Sequence, residues 1–246
     1  MRVTFILFNL FFLIAINANA QVVIGSENAA QKKQKKPKKI IDGNTAIYML
    51  SNWSNTNREL TENKFPFGKP LGEYENETAQ NTWSFGFGIS NKLNDFMKWE
   101  GGISYLRNGE QYSFSASDSA YSYKTTYSYI GMPLKLIVNY GKTINFFGGI
   151  GIIPQLLSGY QKDIFWKTND DSSESENLEV KQGYAPNSFV LSTVFNIGFS
   201  LKLQDKWAVF VSPEYRLQLN STFDSKDAFI HKGRAFGVSF GLIRNI

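Results

Sequence analysis

Five charged side chains fall where a period-two reading places them on one face of extended segments: Lys98, Glu100, Lys135, Glu214 and Arg216. Glu214 and Arg216 are two residues apart on one strand, so they share that face and are in reach of Lys135 or Glu100. Charges confined to a narrow interior must pair, because an unpaired buried charge is expensive. The set therefore reads either as a plug of salt bridges or as a selective path for a small polar solute. His231 is the sole imidazole of the chain, and the sequence places it in an outer loop at 222–232, beside Lys232 and Arg234. With Ser225 or Ser239 as partner it would suit a lipid hydrolase or acyltransferase; without one it is a solvated loop residue. Asp163, Asp170, Asp171, Glu174, Glu176 and Glu179 crowd the segment 161–185, but they lack the spacing of a calcium loop. The motifs GxxxxGK[ST] and HExxH are missing. Cys is missing too, which removes thiol catalysis and thiolate metal sites. No cofactor, no metal site and no catalytic residue is expected.

The elements that carry these charges alternate strictly. Trp83, Phe85, Phe87 and Ile89 interleave with Ser84, Gly86, Gly88 and Ser90. The same pattern recurs from Phe189 to Leu203, from Trp207 to Leu219 and from Phe236 to Leu242. One face is large and apolar. The other is Gly, Ser and Asn, not the Lys, Glu and Thr that face water on a soluble sandwich. Small residues fit the crowded inside of a narrow closed barrel, and the apolar face then meets lipid. Closure pairs every backbone group, which hydrocarbon demands. A soluble, lipocalin-like barrel needs the reverse arrangement.

Eight strands are expected near 44–53, 82–91, 95–107, 121–140, 143–160, 186–203, 206–221 and 233–246. Tight links at 92–94, 141–142 and 204–205 alternate with long polar ones at 54–81, 108–120, 161–185 and 222–232. That is the signature of an up-and-down antiparallel transmembrane β-barrel, all-β, with short periplasmic turns and long outer loops. Eight strands leave a lumen filled by side chains. Pro133, Pro154 and Pro213 fall inside these strands and are expected at bulges or strand ends.

The first twenty residues read as a secretory signal peptide: Met1-Arg2, an apolar run to Ile16, and Ala18-Asn19-Ala20, with cleavage between Ala20 and Gln21. Residues 21–43 contain KKQKKPKK and read as a basic, flexible periplasmic tail. Of the formal net charge of +5, +4 sits in that tail and the rest is Arg2 of the leader; residues 44–246 are formally neutral, so no nucleic-acid partner is expected.

The run Tyr129-Ile130-Gly131-Met132-Pro133-Leu134-Lys135-Leu136, the turn Tyr140-Gly141-Lys142, and Phe146-Phe147-Gly148-Gly149-Ile150-Gly151 resemble the PorT-like outer-membrane β-barrel domain family of the Bacteroidetes. Phe195 to Tyr215, with Pro213-Glu214-Tyr215-Arg216, is similar to it as well. The resemblance spans about 44–246 and implies a cell outer membrane location, without an assigned biochemical role. It implies outer-membrane lipid and the barrel-assembly machinery as partners. That machinery commonly reads a terminal aromatic, whereas this chain ends Leu242-Ile243-Arg244-Asn245-Ile246. A protein partner would dock through the long outer loops or the periplasmic lysine tail. The function expected is structural, docking or surface-binding; the alternatives are a narrow channel or transporter for a small polar solute and a lipid-modifying enzyme.

Overall fold

A strand with large apolar side chains on one face and small ones on the other is stable only where the two faces meet different media. The computed structural model meets that demand with a closed ring of strands. It describes residues 44–62, 75–116, 119–167, 173–179, 186–203, 206–223 and 229–246. The expected signal peptide with Ala20 and Gln21, the lysine run, Asp170, Asp171 and Ser225 lie outside the described residues.

Ten hydrogen-bonded segments follow one another: β1 (Thr45–Glu62), β2 (Thr78–Lys92), β3 (Met97–Ser115), β4 (Ala120–Gly131), β5 (Leu134–Gly141), β6 (Ile144–Lys167), β7 (Ser173–Glu179), β8 (Phe189–Lys202), β9 (Trp207–Gln218) and β10 (Phe229–Asn245). β4 and β5 form one stave, because both pair with β3 on one side and β6 on the other. β7 pairs only with β6 and stands outside the ring. The remaining neighbours are all antiparallel, and β1 pairs with β10 from Ala46↔Asn245 to Glu62↔Phe229. The chain is an eight-stranded, up-and-down, antiparallel barrel.

The faces fall as the alternation requires. Trp83, Phe85, Phe87, Ile89, Phe195, Ile197, Phe199, Phe236 and Phe240 are exposed on the outer wall. Ser84, Ser90, Ser104, Ser192, Ser212 and Ser239 are buried in the lumen. On β9 and its end the outward apolar run goes from Trp207 to Leu219. Twelve residue steps of ~3.3 Å, tilted by ~40°, cover about 30 Å along the barrel axis. That matches the hydrocarbon thickness of a bilayer, ~30 Å. On the outer side this belt ends at Trp53 on β1, Trp83 on β2, Tyr105 on β3, Ile130 on β4 and Phe236 on β10. No helix among the described residues is long and apolar enough to cross a membrane.

Tight turns close the inner end. Leu93 N–H donates to Met97 O at 2.8 Å, and Asn94 Oδ1 accepts from the amides of Phe96 and Met97. Gly141 turns at φ 120, a conformation that needs glycine. Inside, Gly88 faces Gly102 across the β2–β3 pair. A Cβ on Gly88 would lie 2.3 Å from Gly101 O and 2.7 Å from the Tyr48 hydroxyl. Tyr48, buried in the lumen, thus lies over the glycine pair, an aromatic covering backbone that has no side chain of its own.

Three expectations are corrected. The long links are in large part strand: β1, β3 and β6 run far past 53, 107 and 160, and 161–185 contains the end of β6 and all of β7. Their outward polar residues keep the strand geometry above the belt, where apolar alternation had stopped signalling it. The stave at 121–140 is broken at Met132-Pro133, where Met132 N–H donates instead to Pro154 O at 2.9 Å. Pro154 and Pro213 sit mid-strand rather than at strand ends. Opposite Pro213, which has no N–H to give, the β8–β9 ladder is interrupted between Asn196↔Glu214 and Phe199↔Val211. Ser212 Oγ reaches Ile197 O at 3.0 Å across that gap.

Candidate functional site

The lumen is organised in three layers along the barrel axis. The inner layer holds the charges singled out from the sequence. Lys98 and Glu100 alternate inward on β3, and Glu100 is the register partner of Lys135 on β5. Glu100 accepts from Lys98 Nζ at 2.9 Å and from Lys135 Nζ at 3.1 Å, so one carboxylate bridges two ammonium groups. Lys135 also lies 5.8 Å from the Tyr48 ring centroid, and Lys98 5.8 Å from that of Phe147.

Glu214 and Arg216 form a separate pair on β9, at 3.7 Å. Ser239 Oγ sits 3.4 Å from Glu214, and Arg216 donates to Ser54 Oγ at 3.4 Å. Glu214 and Arg216 therefore pair with each other and with hydroxyls, not with Glu100 or Lys135 by direct contact. Three of the five groups form one chain, and two form a second.

Above the charges lies an apolar layer. Leu106, Tyr129, Ile153, Val190 and Val194 are buried against one another from β3, β4, β6 and β8, with Tyr127 above and Leu157, Tyr160 and Phe223 at the margin. The free space between this layer and Lys135 and Glu214 is about 30 Å³, room for about one or two waters. Arg216 stands beside Val194 in register, and on β1 and β2 Ser54, Thr56, Thr82 and Ser84 are buried as well, so the middle of the described lumen is filled by side chains.

The outer layer was not anticipated from the sequence. Arg58 on β1 pairs with Glu77 and stands 3.5 Å from Glu110 on β3. Tyr123 donates to Glu77, and Tyr127 donates to Glu110 at 3.2 Å. His231 Nε2 is 4.0 Å from Glu110 Oε2, and its ring packs 5.3 Å from those of Tyr127 and Phe223. Arg58, Glu110, Tyr127 and His231 lie past Trp53, Tyr105, Ile130 and Phe236, the residues at which the belt ends on β1, β3, β4 and β10, and so stand outside the spanning segments.

Burial alone would raise the Glu110 carboxyl; His231 and Arg58 hold it below its ordinary range. Burial lowers the His231 imidazole below its usual 6.5, against the pull of Glu110. Burial, reinforced by Glu110, pushes the Tyr127 phenol up. The signal that could have revealed this layer was weak: Arg58, Glu110 and His231 stand in polar stretches where inward and outward positions look alike.

His231 is thus a correction: it is no solvated loop residue but an inward, buried position on β10. Ser239 lies on the same strand in the spanning part and bonds Asn52 at 2.9 Å and Glu214. Among the described residues no serine hydroxyl is hydrogen-bonded to the imidazole, and no cluster of His, Cys, Asp or Glu has metal-binding geometry.

No protein-family model matches the chain, and no curated protein matches it in sequence. Solved structures that align with it include three outer-surface or barrel proteins. Ail, the attachment invasion locus protein of Yersinia pestis, is 13% identical with a TM-score of 0.34, covering 81% of this chain and 98% of its own. Neisserial surface protein A is 10% identical with a TM-score of 0.36, covering 82% and 99%. The N-terminal β-barrel domain of Pseudomonas aeruginosa OprF is 10% identical with a TM-score of 0.30, covering 79% and 96%. The barrel assignment rests on the strand ring of this chain itself.

Proposed function

We propose that this chain is a small, non-enzymatic outer-membrane barrel that works through its outer surface, in a structural, docking or surface-binding role. The observation that carries this reading is the contrast between a sealed lumen and strands that continue well past the lipid belt. Leu106, Tyr129, Ile153, Val190 and Val194, together with the buried Ser54, Thr82, Ser84 and Arg216, fill the middle of the barrel. β3, β4 and β6 meanwhile rise together beyond Tyr105 and Ile130, as a wall whose outward residues include Gln111, Ser113, Ser122, Lys124 and Asp163. A groove of about 420 Å³ lies along it, with Tyr112, Tyr123 and Phe165 among its lining. Aromatic side chains flanked by hydroxyl and amide groups are the composition of adaptable binding surfaces.

Membership of the PorT-like family is part of the proposal and is supported by the Gly131-Met132-Pro133-Leu134 and Pro213-Glu214-Tyr215-Arg216 segments. So are the signal peptide, the partners expected from it, and a periplasmic lysine tail available to a second protein. A channel for a small polar solute would require the apolar layer to move aside.

The chain has no Cys, so a single Ser122→Cys is a clean probe. An impermeant maleimide should label it on intact cells, and the protein should fractionate with outer membranes and show heat-modifiable gel mobility. Labelling only after lysis, or a soluble, heat-indifferent chain, refutes the reading.

A further inference from the structure

At the outer rim of the belt, three side chains on the lipid-facing wall are joined to one another. Arg107 on β3 is the register partner of Ser128 on β4, and Tyr105 stands two residues below Arg107 on the same outward face. Arg107 Nε donates to the Tyr105 hydroxyl at 3.3 Å, and that hydroxyl donates to Ser128 Oγ at 3.0 Å. The guanidinium also lies over the Tyr105 ring, 5.4 Å from its centroid. The relay runs one way, from cation to phenol to serine. It leaves donors at its open end: the remaining guanidinium N–H groups and the Ser128 O–H. Among the described residues no carboxylate pairs with Arg107. A fixed, exposed cation beside a free hydroxyl donor is the complement of an oxyanion with several acceptor oxygens.

The surroundings say what kind of anion. Tyr105 is the register partner of Phe85 on one side and Ile130 on the other. Both are about half exposed on the outer wall, and Ile103 continues the apolar path inward. Opposite Ser128 stands Gly159, whose missing side chain leaves that flank open. An anion here would have acyl chains directly below it.

We propose that Arg107, Tyr105 and Ser128 form a binding site for the phosphate of an acylated lipid headgroup in the outer leaflet. Arg107 and Ser128 contact the phosphate, and Tyr105 is a positioning residue that holds the guanidinium flat against the wall. The site rests on the outer-membrane reading above, and its test separates the two.

The folded chain in neutral detergent is titrated with dilauroyl phosphatidic acid, with dilauroyl phosphatidylcholine and with inorganic phosphate, and bound species are counted by native mass spectrometry. Phosphatidic acid should be retained about tenfold more tightly than phosphatidylcholine, and Arg107→Gln should erase that preference, as expected for one charge-assisted contact. Ser128→Ala should weaken it severalfold. Lys92→Gln, which removes an exposed charge at the opposite rim, should leave it unchanged. Equal retention of the two lipids overturns the proposal, as does an Arg107→Gln variant that binds like the parent or a Lys92→Gln variant that loses as much. Displacement of the lipid by an equal concentration of inorganic phosphate overturns its lipid part. Heat-modifiable mobility is followed in every sample: if the parent lacks it, the barrel reading fails first, whereas mobility retained without lipid preference overturns this site alone.

Discussion

Glu100 is the single anion between Lys98 and Lys135, at 2.9 and 3.1 Å, and its side chain is 12% exposed. Replacing it with Gln keeps the shape and removes the charge. Two ammonium groups then face each other across a neutral amide, with the Glu214 carboxylate already engaged by Arg216 at 3.7 Å. Removing one partner of a buried ion pair costs ~3–5 kcal/mol, because the charge left behind is not resolvated. Here two charges are left behind, but Lys98 is 15% exposed and relaxes toward the inner mouth. The expected loss for Glu100→Gln is therefore ~3–4 kcal/mol. Adding Lys135→Met to that variant should recover about half of it. The assay is urea unfolding of the barrel refolded into vesicles, read by heat-modifiable mobility. A Glu100→Gln variant within ~1 kcal/mol of the parent, or a double variant no more stable than the single one, would refute the ion-pair reasoning. In that case hydroxyls or water already carry the lysines.

Acid should loosen the outer end of the barrel. Both His231, lowered by burial despite Glu110, and Glu110, held down by His231 and Arg58 against its burial, bind protons more readily when unfolded. Their stabilisation is therefore intact above the ordinary His value of 6.5 and declines as pH falls below it, with the Glu110 share following below about 4.5. Hydrogen exchange at the outer ends of β1 and β10 should quicken in that order, and His231→Asn should remove the first step. The parent should show no stepwise conductance in planar bilayers, whereas Leu106→Ala with Tyr129→Ala, thinning the apolar layer, should admit ions at a cost of ~4–8 kcal/mol in stability. Gly88→Val should abolish refolding, because its Cβ would meet Gly101 O at 2.3 Å from a neighbouring backbone that cannot yield.

Much of the barrel was legible in the alternation, and the reason is physical. Between Trp83 and Ile89 the outward residues meet hydrocarbon and the inward ones meet neighbours across a narrow lumen, so the two faces differ in size and polarity at every step. Above the belt that contrast vanishes. Arg58 points inward while Asn57 and Glu59 point out, and nothing in their types tells them apart, so strand ends were underestimated and His231 was placed in a loop. That Lys98, Glu100 and Lys135 share the lumen was legible because Lys98 shares the face of Glu100 and Lys135 lies in a strong apolar alternation; that these three pair with one another was not. The pairing of Glu214 with Arg216 rather than with Lys135 depends on register between β9 and its neighbours, which a single strand pattern does not contain. The Met132-Pro133 break was visible as a proline, but its remedy, an amide handed to Pro154 O at 2.9 Å, depends on a strand encountered later in the chain.

The seam between β1 and β10 joins the earliest stave of the ring to the latest, over their full lengths. Until the eighth stave is in place, the first seven leave one unpaired hydrogen-bonding border at each side. Premature termination before Phe229 thus yields a sheet with two hungry margins and nothing to zip them, the kind of product that periplasmic proteases and holding chaperones would meet instead of the membrane.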